Sequence, residues 1–405
     1  MPRLPAGLAL LCALAASPAL AQDTRAGQLA EARAERAAHL HAYEPNPVEK
    51  GFLLLEEEHI LERLSALPDG FYLRFGGLPP GGGIAFGPGY RQENHDGRLW
   101  VSTSAAWSLK DYKSVDLRAG AERLAGGRVD LLGHLEARDL AEEDFWGLGT
   151  GSTPEQQTSY RRKDVTVDAR AVTRPLPWLR LEPGAGFLAA DLHPGLDRHV
   201  PSTEARFDAT GAPGIDAAPR LLYGGLTVDV DYRDSPGNTR AGGRYRATLT
   251  RYRDAGDGPY DFDRLDAELL QVFPIFDKKR NFAVRVLASR VQPTADGGAV
   301  PFYLMPALGG STTLRGYRDY RFRDQAALLI TGEYRWEAFA GLDLALFLDS
   351  GDVAPRWSDI VVGRMKTSAG IGFRFNTNRR VFLRLDTAWG GHEGTRFYIK
   401  FGPAF

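Results

Sequence analysis

In several segments of the C-terminal third of the chain, apolar residues recur at every second position. In residues 342–349, LDLALFLD, leucine occupies every second position, and the positions between include Asp343 and Asp349. In residues 381–389, VFLRLDTAW, the apolar face ends at Trp389 while the other face carries Arg384 and Asp386. A period of two residues is that of a β-strand with one apolar and one polar face.

The same alternation recurs upstream, and about 16 such segments between turn signals can be marked from residue 82 to residue 405. Most are about 9–13 residues long, which suits tilted membrane strands better than the usual soluble strand of about 5–6 residues. Tyr334, Trp336, Trp389 and Phe405 lie near strand ends on the apolar face, as in an interfacial girdle. The pattern predicts an all-β fold, an antiparallel transmembrane β-barrel of about 16 strands over residues 82–405. A soluble β-sandwich is the alternative that the pattern leaves open.

The N-terminus predicts export. Residues 1–21 carry Arg3, an apolar centre and a small-residue end at Ala19-Leu20-Ala21, which is typical of a signal peptide cleaved before Gln22. The apolar centre is too short for a membrane anchor spanning about 30 Å. The only cysteine, Cys12, lies inside this segment, so the exported chain is expected to have no thiol chemistry.

Residues 22–81 have a different pattern. Residues 26–42 are rich in Ala, Glu and Arg and predict a polar helix, and residues 51–67 place leucines at helical spacing. We therefore expect a short helical periplasmic segment or linker, with the first strand beginning near Gly82. A helix that plugs the barrel is the open alternative.

Charge and motifs exclude several functions. The chain has 50 basic and 51 acidic residues, a net charge of -1, which argues against a nucleic-acid partner. The eight histidines form no His-x-x-x-His pair, and Gly-x-Ser-x-Gly is absent. We therefore expect no enzyme activity, no metal site and no cofactor.

Several ordered motifs give a family resemblance. Leu314-Arg315-Gly316-Tyr317 lies in a long loop before the last group of predicted strands. The other motifs are Phe347-Leu348-Asp349-Ser350-Gly351, Ser368-Ala369-Gly370-Ile371-Gly372, Asp231-Tyr232-Arg233-Asp234-Ser235-Pro236 and Phe145-Trp146-Gly147-Leu148-Gly149. Together these motifs resemble the BamA/TamA superfamily of outer-membrane assembly factors, also called the bacterial surface antigen family.

The resemblance implies roles for the loop. In such proteins the loop that corresponds to residues 309–323 here folds into a sixteen-stranded barrel; we call these residues the lumen loop. The resemblance implies that Arg315 contacts Glu333 and Asp349, and Gly351 completes the motif that contains Asp349. Gly316 would turn the backbone tightly or let it approach the wall. Tyr317 would pack against lumen residues, and Gly309-Gly310 would form a flexible entry. Independently, strand alternation places Glu333 and Asp349 on the non-lipid face. The alternative is that Arg315 is a solvated loop charge.

The C-terminus also resembles the family. Phe401 and Phe405 correspond to its C-terminal assembly signal. Gly402-Pro403 near the end of the last strand would either weaken a seam between the first and last strands or simply end the strand.

The resemblance also implies a function and partners. Family assembly factors carry periplasmic POTRA domains, for which residues 22–80 are too short, so we expect a short member lacking them. We expect an outer-membrane location and a role in outer-membrane protein or lipid assembly, or in translocation, through the barrel or its seam. A passive pore or a structural surface protein is the alternative. Expected partners are outer-membrane lipid, the assembly machinery that inserts the barrel, and a separate POTRA-bearing or periplasmic chain.

Overall fold

The computed structural model describes residues 69–403 except 79, 80, 277, 378, 379 and 392, and it does not describe the side chain of residue 75. The predicted signal peptide (1–21), most of the predicted helical segment and Phe405 lie outside the described residues. These three predictions are therefore untested by the fold.

Sixteen strands form one antiparallel sheet in which each strand pairs with its neighbours along the chain, and β12 and β13 form a separate pair between β11 and β14. The strands are β1 (Gly70–Gly77), β2 (Ile84–Glu93), β3 (Leu99–Ser108), β4 (Lys113–Arg123), β5 (Val129–Phe145), β6 (Thr158–Leu176), β7 (Leu179–Pro194), β8 (Arg220–Asp231), β9 (Gly242–Asp254), β10 (Phe262–Ile275), β11 (Arg280–Pro293), β12 (Ala307–Leu308), β13 (Phe322–Arg323), β14 (Ala326–Phe339), β15 (Leu342–Ala354), β16 (Lys366–Asn376), β17 (Val381–Gly390) and β18 (Thr395–Phe401).

Helical structure in the described part of the chain is limited to single turns. One turn, α1 (Leu124–Gly127), joins β4 to β5, and it includes non-helical backbone angles at Ala125 and Gly126. The 3₁₀ turns are Pro154–Gln156, Thr203–Ala205, Phe302–Leu304, Trp357–Asp359 and Val362–Arg364. None of the described helices has the length and apolar composition needed to cross a bilayer.

The two faces of the sheet differ as the alternation predicts. On β15, Leu346 and Leu348 are about half exposed, whereas Asp349, the residue after Leu348, points to the other face and is fully buried. The sheet curls on itself. The evidence is a β-bridge between Gly237, in the turn between β8 and β9, and Arg380, just before β17. The predicted 16-stranded β-barrel is thus confirmed, with charged residues inside and apolar residues outside.

The first strand begins earlier than the sequence suggested. We expected it near Gly82, but β1 spans Gly70–Gly77, so the boundary of the helical segment at residue 81 is wrong. Gly76, Gly77 and Gly81 read as a linker in sequence, yet the first two end β1 and Gly81 lies in a turn before β2. Strand β1 pairs with β2 along its whole length, from Gly70 opposite Arg91 to Gly77 opposite Ile84.

The longest strands also exceed the expected length. β5, β6 and β7 have 17, 19 and 16 residues. Their far ends, together with the loops 146–157, 195–219 and 294–325, form what we call the long-loop end of the barrel. Apolar side chains of these loops pack over the lumen, where Phe145 contacts Phe302 with ring centres 4.6 Å apart.

The edges of the sheet stay unpaired with each other. Within the described residues, no hydrogen-bonded pairing joins β1 to β18. The last strand ends at Phe401, and Gly402 adopts a positive φ of 93°, which turns the chain out of the strand direction. This geometry favours the view that Gly402-Pro403 ends the strand.

Candidate functional site

The lumen loop is a closed structure. At its base β12 pairs with β13, with Leu308 opposite Phe322. Gly309 and Gly310 have φ values of 126° and 87°, which favour glycine. The Thr313 hydroxyl accepts a hydrogen bond from Gly309 N (2.8 Å) and donates one to the Gly309 carbonyl (2.9 Å). Gly309 and Gly310 therefore form a hydrogen-bonded turn at the entry of the loop, and the flexibility of that entry stays a prediction.

Arg315 lies inside the barrel and is only 3% exposed. Its Nε donates to Asp349 Oδ2 (2.9 Å), its Nη2 to Asp349 Oδ1 (2.8 Å) and its Nη1 to Glu333 Oε2 (3.0 Å). Strand register explains the convergence, because Asp349 lies opposite Thr331, two residues from Glu333 on β14. This forked, charge-assisted geometry is the one that the resemblance implied.

The charged cluster is larger than the predicted trio. Arg335 and Arg374 also donate to Glu333 Oε1, at 2.7 Å and 3.1 Å. Arg374 Nη1 donates to Asp386 Oδ1 (2.6 Å), and Arg384 Nε lies 3.0 Å from Asp386 Oδ2. The cluster joins β14, β15, β16 and β17 to the loop. We call it the lumen cluster; its members are Arg315, Arg335, Arg374, Arg384, Glu333, Asp349 and Asp386.

Two hydroxyls and an aromatic ring complete the environment of Arg315. Thr331 and Ser368 donate to Asp349, at 3.0 Å and 3.2 Å. The ring of Phe347 lies under the guanidinium, 3.3 Å from ring centre to carbon. A stacked arginine of this kind gains from cation–π attraction, especially when water is excluded.

The glycines of the motif at residues 368–372 provide space for these side chains. A Cβ on Gly370 would lie 2.2 Å from the ring of Phe347, and a Cβ on Gly372 would lie 2.4 Å from Arg374 and 2.4 Å from Asp386. The sequence identified this motif without a role for it. In the structure, it admits Phe347 and the Arg374–Asp386 pair to the wall of the lumen.

Gly316 permits close approach of two backbones. A Cβ there would lie 2.4 Å from Gly390 N and 2.5 Å from the carbonyl carbon of Trp389 on β17. Its φ is not positive, so it does not serve as a tight turn. Of the two roles suggested for Gly316, the structure supports approach to the wall.

Tyr317 is buried and packs in a small apolar cluster at the base of the loop, with its ring 5.1 Å from that of Phe322. Gly351 lies at the same place. A Cβ on Gly351 would lie 2.7 Å from Leu308, so this glycine makes room for β12. Leu314 is completely buried in the cluster.

The remaining arginines of the loop join it to other loops. Arg321 Nε donates to Glu393 Oε1 (2.6 Å), and its Nη2 donates to the carbonyl of Ser152 (2.8 Å). Its guanidinium lies 5.3 Å from the centre of the buried Trp146 ring. Gly149 N donates a hydrogen bond to the backbone carbonyl of Arg323 (2.8 Å). The Phe145–Gly149 motif and the lumen loop are thus packed together, a contact that their distance in sequence concealed.

The site has the chemistry of a structural ion network. Its side chains are arginines, carboxylates and hydroxyls, and the described residues include no group of three or more His, Cys, Asp or Glu able to hold a metal ion. Phe401 lies elsewhere, exposed on the outer face of β18. Its role in an assembly signal, like that of Phe405, stays a prediction.

Comparisons with known proteins agree with the barrel fold. Residues 219–405 match the Omp85 superfamily domain. The fold is similar to that of BamA from Haemophilus ducreyi lacking POTRA domains 1-3, with a TM-score of 0.59 and 14% identity over 83% of this chain and 69% of that chain. It is also similar to CdiB from Escherichia coli, with a TM-score of 0.50 and 14% identity over 82% of this chain and 63% of the CdiB chain. No curated protein matches the sequence. The expected resemblance to the BamA/TamA superfamily is confirmed.

Proposed function

We propose that this chain, which carries an Omp85 superfamily domain over residues 219–405, is an outer-membrane β-barrel that assists insertion of outer-membrane proteins or lipids, or their translocation, at its seam. The observation that supports the proposal is the pair of sheet edges, β1 and β18, which do not pair with each other in the described chain. An unpaired strand edge presents N–H and C=O groups that can template another strand.

Side chains along both edges suit contact with lipid or with an incoming apolar strand. Phe71 and Leu73 on β1 are 86% and 74% exposed, and Phe397 and Phe401 on β18 are 61% and 72% exposed. These strands are also short, with eight residues in β1 and seven in β18. A short edge strand presents a short row of unpaired N–H and C=O groups, so an incoming strand that pairs with it forms few ladder hydrogen bonds and can leave again.

The position of the lumen loop supports a substrate route at the seam and not through the lumen. It occupies the lumen beside β14 to β17, where Arg315 is held by two buried carboxylates. A passive pore is the second candidate. It is supported by inward-facing ion pairs on the opposite wall, such as Arg138–Asp164 and Arg244–Asp229. Both readings predict a barrel, but they differ in conductance and in the effect of locking the edges.

The test uses purified barrel in liposomes with an unfolded outer-membrane protein as substrate. Because Cys12 is the only native cysteine, a Cys12→Ser background allows specific cross-links. Leu73→Cys with Ile399→Cys, joined by a bismaleimide, links the two edges. The matched control links Leu226→Cys to Leu249→Cys, which are opposite each other on the paired strands β8 and β9.

We expect the unlinked barrel and the control to accelerate folding of the substrate, measured by its gel shift, and the edge-linked barrel to lose that acceleration. Acceleration that survives the edge link contradicts a role for the seam. Absence of acceleration, together with a large and steady single-channel conductance, would identify a passive pore.

We further propose a separate periplasmic chain, carrying POTRA domains, as a partner at the end opposite the long-loop end. Two exposed aromatic residues support contact there: Phe276 is 73% and Trp178 is 47% exposed, in the turns after β10 and β6. A photo-cross-linking residue at Phe276 should capture this chain in intact cells. The same residue at Val362, exposed in the loop after β15, is the control. Equal capture at both positions contradicts the proposal.

A further inference from the structure

The motif at residues 231–236, whose role the sequence left open, begins a long turn. It lies at the end of the barrel opposite the long-loop end, which we call the short-turn end. At this end two residues join β6 to β7, and two join β14 to β15. Residues 232–241, between β8 and β9, form a longer connection, and we call them the strap. A turn of this length can reach beyond the two strands that it joins.

The strap holds its conformation through hydrogen bonds of its own. Asp234 Oδ1 accepts hydrogen bonds from the backbone N–H groups of Arg240 (3.0 Å) and Ala241 (3.1 Å). Thr239 donates its hydroxyl hydrogen to the carbonyl of Ser235 (2.9 Å). Aspartate and threonine side chains organise turns in this way, by bonding to backbone groups a few residues away. The strap is therefore a preformed structure whose tip can make specific contacts.

The tip of the strap is bonded to a distant part of the wall. Gly237 forms a β-bridge with Arg380, and the N–H of Val381 donates to the Gly237 carbonyl (2.8 Å). Asn238, only 5% exposed, donates to the carbonyl of Thr377 (2.9 Å). These partners lie in the turn between β16 and β17 and at the start of β17, and in the sheet β10, β11, β14 and β15 separate β9 from β16. The strap therefore crosses the mouth of the barrel at the short-turn end.

An ion pair places the strap on the lumen side of the wall. Arg240 Nη2 donates to Asp343 Oδ1 (2.9 Å), and Arg240 Nη1 lies 2.9 Å from Asp343 Oδ2. Asp343 is 1% exposed, and an even number of positions separates it from Asp349 on β15, so both carboxylates face the lumen. At a rise of about 3.3 Å per residue they lie about 20 Å apart along the strand. One strand therefore binds Arg315 of the lumen loop and Arg240 of the strap.

We propose that the strap closes the lumen at the short-turn end, as a second closure separate from the lumen loop. The lumen loop enters from the long-loop end and is bound through Arg315, whereas the strap lies at the short-turn end and is bound through Arg240. Release of the lumen loop alone therefore leaves the barrel closed, and ions pass only when both segments are released. The inference concerns passage through the lumen, so it is independent of any insertion or translocation at the seam.

The test records the conductance of the purified barrel in planar lipid bilayers, without any substrate. Four proteins are compared: the wild type, Arg240→Ala, Arg315→Ala and the double variant. Arg240→Ala removes the cation bound to Asp343, and hydrogen–deuterium exchange of the strap reports its release. The matched control combines Arg315→Ala with Arg244→Ala, which breaks the ion pair of Arg244 with Asp229 between the neighbouring strands β9 and β8.

We expect the wild type, both single variants and the control combination to stay closed. The double variant should conduct, with its open probability raised on the order of tenfold or more, as loss of a hydrogen bond between charged groups produces. The closure by the strap is overturned if the double variant conducts no more than Arg315→Ala alone. It is also overturned if the control combination conducts as much as the double variant.

A variant without a buried unpaired charge guards against a failure to fold. Asn238→Ala removes the donor to the carbonyl of Thr377 and leaves the ion pair of Arg240 with Asp343 in place. If Arg240→Ala does not give the heat-dependent gel shift of a folded barrel, Asn238→Ala replaces it in the same comparisons. Unchanged conductance on adding Asn238→Ala to Arg315→Ala then overturns the closure.

A reversible link adds a measurement within one protein. In the Cys12→Ser background, Gly237→Cys and Arg380→Cys place two thiols on β-bridge partners, whose backbones are close enough for a disulfide. Added to the double variant, this pair should close the barrel when oxidised and let it conduct again when reduced. An oxidised protein that conducts as well as the reduced one overturns the closure by the strap.

Discussion

Replacing Arg315 by alanine tests the lumen cluster most directly. The substitution removes three charge-assisted hydrogen bonds and the stacking on Phe347, but its consequences for the two carboxylates differ. Glu333 keeps Arg335 and Arg374 as donors. Asp349 keeps only a backbone N–H and the hydroxyls of Thr331 and Ser368. We therefore expect Asp349 to become a buried charge without a cation.

The magnitude follows from that difference. Removing one partner of a buried ion pair costs about 3–5 kcal/mol, because the remaining charge stays desolvated. The contacts of Arg315 bind the loop to the wall, so the cost falls first on loop docking. At about 1.4 kcal/mol per tenfold, amide protection in residues 309–323 should fall on the order of 10²–10⁴-fold. Hydrogen–deuterium exchange measures it, and the heat-dependent gel shift reports the barrel.

A second substitution checks the reasoning. In the Arg315→Ala background, Asp349→Asn neutralises the orphaned charge and should restore about 1–3 kcal/mol of docking free energy. Glu333→Gln in the same background should restore nothing, since it removes the negative charge that Arg335 and Arg374 share. The reasoning is refuted if Arg315→Ala leaves loop exchange unchanged, or if Glu333→Gln rescues as well as Asp349→Asn.

Three further predictions follow. Gly316→Ala should destabilise loop docking by about 1–3 kcal/mol, because the added methyl group clashes with β17, whereas Gly151→Ala adds a methyl group to open space and should not. Equal hydrogen–deuterium exchange of the lumen loop in the two variants would contradict the close approach of Gly316 to β17. Asp386→Asn leaves Arg374 and Arg384 without their shared carboxylate and should lower the gel-shift midpoint, and an unchanged midpoint would contradict the cluster. Burial, with Asp352 nearby, raises the pKa of Asp324 from 3.8 to about 6, so its ionisation destabilises the fold as pH rises from about 4 to 6. Asp324→Asn should therefore flatten the pH dependence of stability measured by urea unfolding, and an unchanged pH dependence would contradict the raised pKa.

The alternation of apolar and polar residues was enough to predict the strands, their faces and the barrel. It works because a β-strand has a period of two, so each residue's face is decided locally. For the same reason Glu333 and Asp349 could be placed on the lumen side from the sequence. Periodicity fails where the local signal is weak: β1 lies among glycines and prolines, and its pairing with β2 overrides that composition.

Register and packing decided the rest, because they bring together residues far apart along the chain. No local pattern indicates that Gly370 makes room for Phe347, or that Asp386 shares Arg374 with Glu333. The family resemblance, which several ordered motifs carry together, implied a loop that enters the lumen and the carboxylates that hold its arginine. Only the tertiary structure showed that the residues just after the motif touch the last hairpin, since that contact exists only once the sheet brings β17 and β18 to the loop.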